Sequence, residues 1–214
     1  MDLRLHGYWR STAAYRVRIA LALKGVDAQR AAIDLRKAEQ SAAAYRAINP
    51  QGLVPALEVD GRVLIQSLPI IEWLDEVFPD PPLLPSDPWG RAHVRAMASI
   101  IASDIHPLNN LRVLQRLRGE LGLSEDAVTA WIAEWVTRGF EALEAMLPER
   151  GWSFGDRPGL ADCCLIPQVY SARRFDVDLR PFARIRRIAA LAQEHPAFAA
   201  ADPVRQPDAD PAAA

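Results

Sequence analysis
Apolar and polar positions alternate over LRLHGY (residues 3–8), the two-residue period of a short strand. The period then changes. From Thr12 to Lys24 the run TAAYRVRIALALK is rich in helix formers, and Gly25 stands where a left-handed helix C-cap belongs. Residues 27–34 make a weaker strand candidate, and SAAAYRAIN (41–49) predicts a short helix ending before Pro50. ALEV (56–59) and RVLI (62–65) flank Asp60-Gly61, a dipeptide favoured in two-residue hairpin turns. Helical spacing resumes over SLPIIEWLDEV (67–77), with Ser67 as the expected N-cap and Pro69 tolerated in the first turn. The order β-α-β-α-β-β-α implies a small mixed sheet with helices on its faces.

Prolines cluster in PDPPLLPSDP (79–88), which reads as a linker. Everything beyond it is helical in pattern. A long helix is expected from the Asp87-Pro88 cap pair to about residue 117, interrupted by Pro107. A second runs from about Ser124 to Met146, a third starts near Gly159 and a fourth near Pro181. The tail QPDADPAAA (206–214) has no apolar face and is expected to be disordered. The division predicted is an α/β domain over residues 1–80 and an all-helical domain over 87–205.

A chain of 214 residues exceeds one average domain and can bury a sizeable core. A net charge of -2 does not favour nucleic acid or an anionic membrane, both of which select basic surfaces. The start MDLRLHGYWRS lacks the apolar core of a signal peptide, and no run reaches the length of a membrane span. The two cysteines, Cys163 and Cys164, are adjacent and cannot staple a fold, and no His/Cys cluster has zinc-ligand spacing. These features point to a reducing, cytoplasmic setting without a bound metal. Thiol chemistry would have to come from a small molecule or from these two residues.

Four features could carry chemistry, and each has a plain structural alternative. Arg10-Ser11-Thr12 opens the first helix, whose N-terminus stabilises an anion such as a thiolate; alternatively Ser11 or Thr12 only caps the helix. Val54-Pro55 precedes a strand, where a cis bond would turn the Val54 backbone outward to pair with a peptide, and a trans turn is the alternative. Gln66-Ser67 opens the third helix and suits a carboxylate, or again a simple cap. Ser103, His106 and Asn110 recur at i, i+3 and i+7 as a polar stripe without Lys or Glu, which is either a site or a solvated face. In the arginine pairs Arg16/Arg18 and Arg173/Arg174, diverging helix positions leave at most one of each to face a cleft.

Taken in order, these elements resemble the glutathione transferase family, and WRSTAAYRVRIALALKG is similar to the signature helix of its zeta class. NPQGLVPALEVDGRVLIQSLPIIEWLDE, DIHPLNNLRVL and FGDRPGLADCCLIPQVYSARRFDVDL resemble that class as well, so the likeness runs from about residue 3 to residue 199. It implies a thioredoxin-like α/β N-terminal domain, an all-α C-terminal domain, a homodimer, and maleylacetoacetate or maleylpyruvate isomerase activity in aromatic compound catabolism. By the same resemblance the thiolate of glutathione lies near Ser11 and Thr12, Val54 pairs with its cysteinyl backbone, and Gln66 with Ser67 holds its γ-glutamyl carboxylate. Gln40, His106, Asn110 and Arg112 complete that set. Ala13 stands where the class usually has cysteine, and Gly159-x-x-Asp162 replaces its Thr/Ser-x-x-Asp cap.

The implied reaction is covalent catalysis by a borrowed nucleophile: the thiolate adds to a cis double bond, the resulting single bond rotates, and elimination returns the trans product. A dicarboxylate substrate needs cations, for which Arg10 and Arg174 are the candidates because a guanidinium holds a carboxylate bidentately. An alternative for Arg174 is a surface salt bridge with Asp176 or Asp178. Two other functions share the fold: conjugation or dehalogenation of small electrophiles, and a non-catalytic interaction protein. The last should have lost Ser11/Thr12 or Gln66-Ser67, and both are present.

Overall fold
The computed structural model describes residues 1–210. The chain divides into two compact units, Met1–Leu83 together with the segment from Gln193 onward, and Leu84–Ala192.

The first unit is built on a four-stranded sheet, β1 (Leu3–Gly7), β2 (Gln29–Ala32), β3 (Ala56–Val59) and β4 (Arg62–Ile65), in the order β2-β1-β3-β4. β1 runs parallel to β2 and antiparallel to β3, and β3 pairs with β4 as a hairpin in which Val59 faces Arg62. Asp60 and Gly61 take φ values of 46° and 80°, the pair of positive angles that lets a two-residue turn match the twist of its strands. Helix α1 (Thr12–Lys24) ends at Gly25 in the left-handed conformation, and the short α2 (Ala43–Ile48) ends before Pro50, both as the sequence predicts. α1 is buried on every side, packing against α3 (Ser67–Val77) and α9 (Pro196–Ala201), and β1 lets it approach closely because Gly7 has no Cβ to meet Ala14. Hence the absence of a polar face along TAAYRVRIALALK.

Burying α1 also buries its cations, and each has a fixed partner. Lys24 Nζ lies 2.6 Å from Asp75 and donates to the Pro81 carbonyl, and the same carboxylate accepts the Leu83 N–H at 2.7 Å. The proline-rich stretch is therefore ordered, with Leu83 and Leu84 buried. Arg16 and Arg18 are both buried, so neither faces open solvent; Arg18 donates to the carbonyls of Tyr8, Trp9 and Ala201.

The expected disorder of 206–214 does not hold for residues 206–210. Gln206 is buried and donates to the Ala200 and Asp202 carbonyls, Asp208 accepts the Trp9 N–H at 2.9 Å, and Asp210 pairs with Arg36 at 2.6 Å. Polar contacts rather than an apolar face order this segment; residues 211–214 lie outside the described residues. The helical run near the end is split as well, because His195 Nδ1 and Pro196 start α9 as a separate helix that joins the first unit.

The second unit is helical: α4 (Pro88–Ser99), α5 (Leu111–Gly119), α6 (Glu125–Met146), α7 (Leu160–Arg174) and α8 (Ala183–Glu194). The helical run expected from Asp87 to about residue 117 is interrupted around Pro107 as its sequence predicts, but the break begins earlier than that proline. α4 ends at Ser99, a π-helical turn covers Ile100–Ile105, and a 3-10 turn covers His106–Asn109 before α5 restarts. Pro107 lacks an N–H and crowds the preceding turn, and the widened turn is accommodated by Gly139 of α6, where a Cβ would run into the Ile105 side chain. Ser153 and Gly159 are gathered at the start of α7 by Asp162, whose carboxylate accepts the Ser153 N–H and hydroxyl and the Gly159 N–H at 2.7–3.0 Å. Burial pushes this carboxyl above the usual carboxylate range, and the three donors act against that. Cys163 and Cys164 follow it, both fully buried.

Candidate active site
The turn joining β1 to α1 carries Arg10, Ser11 and Thr12. Ser11 is half-buried and is the N-cap: its hydroxyl oxygen accepts the Ala14 N–H at 3.2 Å, while its backbone carbonyl accepts the Tyr15 N–H. A hydroxyl that accepts in this way keeps its own proton for donation, and the helix terminus adds partial positive charge. Capping and anion stabilisation are thus compatible at Ser11. Thr12 is the first helical residue and is buried at 8% exposure. Arg10 is half-buried, with its guanidinium 5.4 Å from the centre of the Trp9 ring.

The loop before β3 is held by residues that the sequence reading passed over. Asn49 is buried and donates to the Leu53 carbonyl at 2.6 Å while accepting the Gln51 N–H; the Tyr45 hydroxyl donates to the same carbonyl at 2.7 Å. Burial pushes the Tyr45 hydroxyl up to about 12, so it stays a donor. Val54-Pro55 follows with a cis bond. Neither the N–H nor the C=O of Val54 is hydrogen-bonded within the described residues. Gly52, at φ 62°, brings this loop against the Gln40 backbone, and a Cβ there would lie 2.9 Å from the Gln40 carbonyl oxygen. Gln40 Oε1 is buried without a hydrogen-bond partner among the described residues. Gly52→Ala is therefore expected to displace the Gln40 backbone and to cost about 1–3 kcal/mol of stability, as melting curves would show.

At α3 the expected N-cap is corrected by one residue. Gln66 occupies the cap position without a side-chain cap bond, and Ser67 is the first helical residue. Gln66 has φ 70° and ψ 129°, a conformation that costs a residue with a Cβ about 1–3 kcal/mol and concentrates at ligand sites. Its side chain is exposed and donates to Gln51 Oε1 at 2.7 Å. Ser67 is buried, and its hydroxyl accepts from Arg16 Nη1 at 3.2 Å. Arg16 thus ties the opening of α3 to the helix that Ser11 caps, a link its sequence position did not reveal.

In the second unit, the polar stripe does not lie on one regular helix, because the chain changes pitch within it. Ser103 belongs to the π-helical turn and is exposed, His106 opens the 3-10 turn, and Asn110 caps α5. Asn110 accepts the Val113 N–H and donates to the Pro107 carbonyl at 2.7 Å, a structural task that the sequence reading did not anticipate. Arg112 is exposed on α5. Arg174 is exposed at the end of α7, its guanidinium 4.7 Å from the Phe175 ring centre, and Asp178 pairs with Arg180. Among the described residues no three His, Cys, Asp or Glu side chains group as a metal site, and no helix is long and apolar enough to cross a membrane.

A family model for the glutathione S-transferase N-terminal domain matches residues 10–77, and one for the glutathione S-transferase C-terminal domain matches residues 125–200. A solved maleyl pyruvate isomerase, described as a bacterial zeta-class glutathione S-transferase, superimposes with a TM-score of 0.95 at 52% identity, covering 97% of this chain and 100% of that one. The chain belongs to the zeta class of the glutathione S-transferases. Its first unit is the thioredoxin-like half of that architecture and its second the helical half. Among curated relatives, the maleylpyruvate isomerase of Ralstonia sp is 52% identical over 96% of this zeta-class chain and 99% of its own length. The maleylacetoacetate isomerase of Pseudomonas aeruginosa is 53% identical over 96% and 98%. A maleylacetoacetate isomerase from Anaeromyxobacter dehalogenans, solved with glutathione bound in its active site, shares 46% identity at a TM-score of 0.88, with 98% of both chains covered.

Proposed function
We propose that this protein catalyses the glutathione-dependent cis–trans isomerisation of a maleyl keto-acid, maleylacetoacetate or maleylpyruvate, to its fumaryl form. The observation that carries this reading is identity above 50%, across nearly the whole chain, to isomerases of both substrates. When bound, glutathione supplies the thiolate that adds to the maleyl double bond, makes it a rotatable single bond and leaves after rotation. The residues of the first unit fit such a tripeptide. The unpaired backbone of Val54 suits its cysteinyl backbone, the strained opening of α3 at Gln66 and Ser67 suits a carboxylate, and the orphaned Gln40 Oε1 suits a donor on the ligand.

The chain's own contribution to chemistry begins at Ser11. Its hydroxyl donates to the thiolate while the α1 terminus lowers the cost of the negative charge. Arg10, held against Trp9 one residue away, takes a substrate carboxylate. Ala13 contributes no sulfur, so the nucleophile is wholly the tripeptide's. For His106, Asn110, Arg112 and Arg174 in the helical unit, and for homodimeric assembly and a cytoplasmic location, the support is the sequence resemblance.

The test follows both species by proton NMR during turnover of either maleyl substrate. Fumaryl product accumulates while the glutathione signal stays constant, and omitting glutathione abolishes the conversion. Stoichiometric loss of glutathione into a stable adduct would overturn isomerisation in favour of conjugation.

A further inference from the structure
The segment after α9 ends on the same turn that carries Ser11. Trp9 is held from both sides of its peptide groups: its N–H donates to Asp208 Oδ2 at 2.9 Å, and its carbonyl accepts from Arg18 Nη2 at 2.9 Å. Arg18 also donates to the Ala201 carbonyl at 3.0 Å, so one buried guanidinium joins the last turn of α9 to the turn before α1. Asp208 lies in a small cleft with Arg18, Arg30 and Gln206, where its charge favours the protonated form of both arginines against their burial. Two further anchors fix the segment. Gln206 folds back on the Ala200 and Asp202 carbonyls, and Asp210 pairs with Arg36, just before the turn that bears Gln40.

We infer that Asp208 is a positioning residue for the thiolate site: through the Trp9 N–H it sets the turn that aims the Ser11 hydroxyl and Arg10. The inference rests on the proposed use of Ser11 and deepens it. Trp9 is two residues from Ser11, and the Ser11 N–H is itself bonded to the Tyr8 carbonyl at 3.0 Å. A turn braced at Tyr8 and Trp9 leaves Ser11 little freedom. Release of the Trp9 N–H frees residues 8–11 to shift, and a misplacement of about 1 Å near a reacting centre costs up to ~100-fold in rate. Asp208 itself would touch neither glutathione nor substrate.

The experiment compares the full-length wild-type protein with Asp208→Ala and Asp208→Asn. It measures the thiol pKa of bound glutathione by thiolate absorbance, its Kd by calorimetry, kcat on the maleyl substrate, and thermal stability. Asp208→Ala is expected to raise the bound thiol pKa and lower kcat on the order of tenfold, with Kd changed far less. Asp208→Asn keeps an acceptor for the Trp9 N–H and should recover most of both. An unchanged thiol pKa in Asp208→Ala overturns the inference even if stability or kcat falls, because the carboxylate is then only structural. Equal damage in both variants also overturns it, since the bond to Trp9 would not be what matters. If the wild-type protein itself neither binds glutathione nor isomerises, the function proposed above fails and the positioning role falls with it; wild-type turnover with unaffected variants sinks the positioning role alone.

Discussion

Ser11→Ala should slow isomerisation by about ten- to a hundred-fold while leaving glutathione bound. A hydrogen bond to a charged group contributes ~1.5–3 kcal/mol, and each 1.36 kcal/mol of lost stabilisation is about tenfold in rate. The same loss should raise the thiol pKa of bound glutathione, which thiolate absorbance across a pH series would report. The substitution also removes the α1 cap, where the Ser11 oxygen accepts the Ala14 N–H, at a cost of about 0.5–2 kcal/mol in stability. Melting curves separate that effect from the chemistry. Thr12→Ala provides the comparison: Thr12 is buried at the first helical position, and a rate loss there with Ser11→Ala unaffected would move the assignment to Thr12.

The largest effect on stability is expected at Asp162→Ala, at a residue with no proposed chemical role. The substitution strands three donors at the start of α7, the N–H and hydroxyl of Ser153 and the N–H of Gly159, in a place where Asp162 itself is fully buried. Unsatisfied buried donors cost about 1–3 kcal/mol each, with water recovering part, so a net loss of about 3 kcal/mol is reasonable. In a chain of this size that lowers Tm by roughly 6–12 °C. Asp162→Asn retains one acceptor and should lose less. Calorimetric or circular-dichroism melts would decide, and a Tm within 2–3 °C of wild type, below the roughly 6 °C floor, would show that Asp162 is not what holds the opening of α7.

Much of the fold was legible because its signals are local. α1 ends where a glycine can adopt a positive φ, the β3–β4 hairpin turns on Asp60-Gly61, and α6 starts behind Ser124; each depends on residues within a few positions. The failures depend on distant partners. Pro107 announces an interruption, but nothing near residue 100 announces that it takes the form of a π-helical turn, which Gly139 accommodates by leaving room for Ile105. Residues 206–210 look disordered by composition, and bonds to Trp9 and Arg36, far away in sequence, join those of Gln206 to the end of α9 in ordering them. The candidate site divides the same way. Ser11, Val54-Pro55 and Gln66-Ser67 were visible as junction residues. Asn49, Gly52 and Arg16 were not, because their roles are to hold a loop or reach across to another helix.

The first unit is discontinuous in sequence: α1 is covered by α9, and the turn before α1 is braced by Asp208. During synthesis, α1 is complete some 170 residues before α9 begins. At ~5–20 residues per second the interval is on the order of ten seconds or longer. Through that time α1 lacks the cover that α9 gives it in the folded chain. The helical unit, contiguous from Leu84 to Ala192, is under no such delay and can close first. The first unit is thus begun before the helical unit and completed after it, and a nascent chain gains the brace on the turn before Ser11 only once Asp208 has emerged.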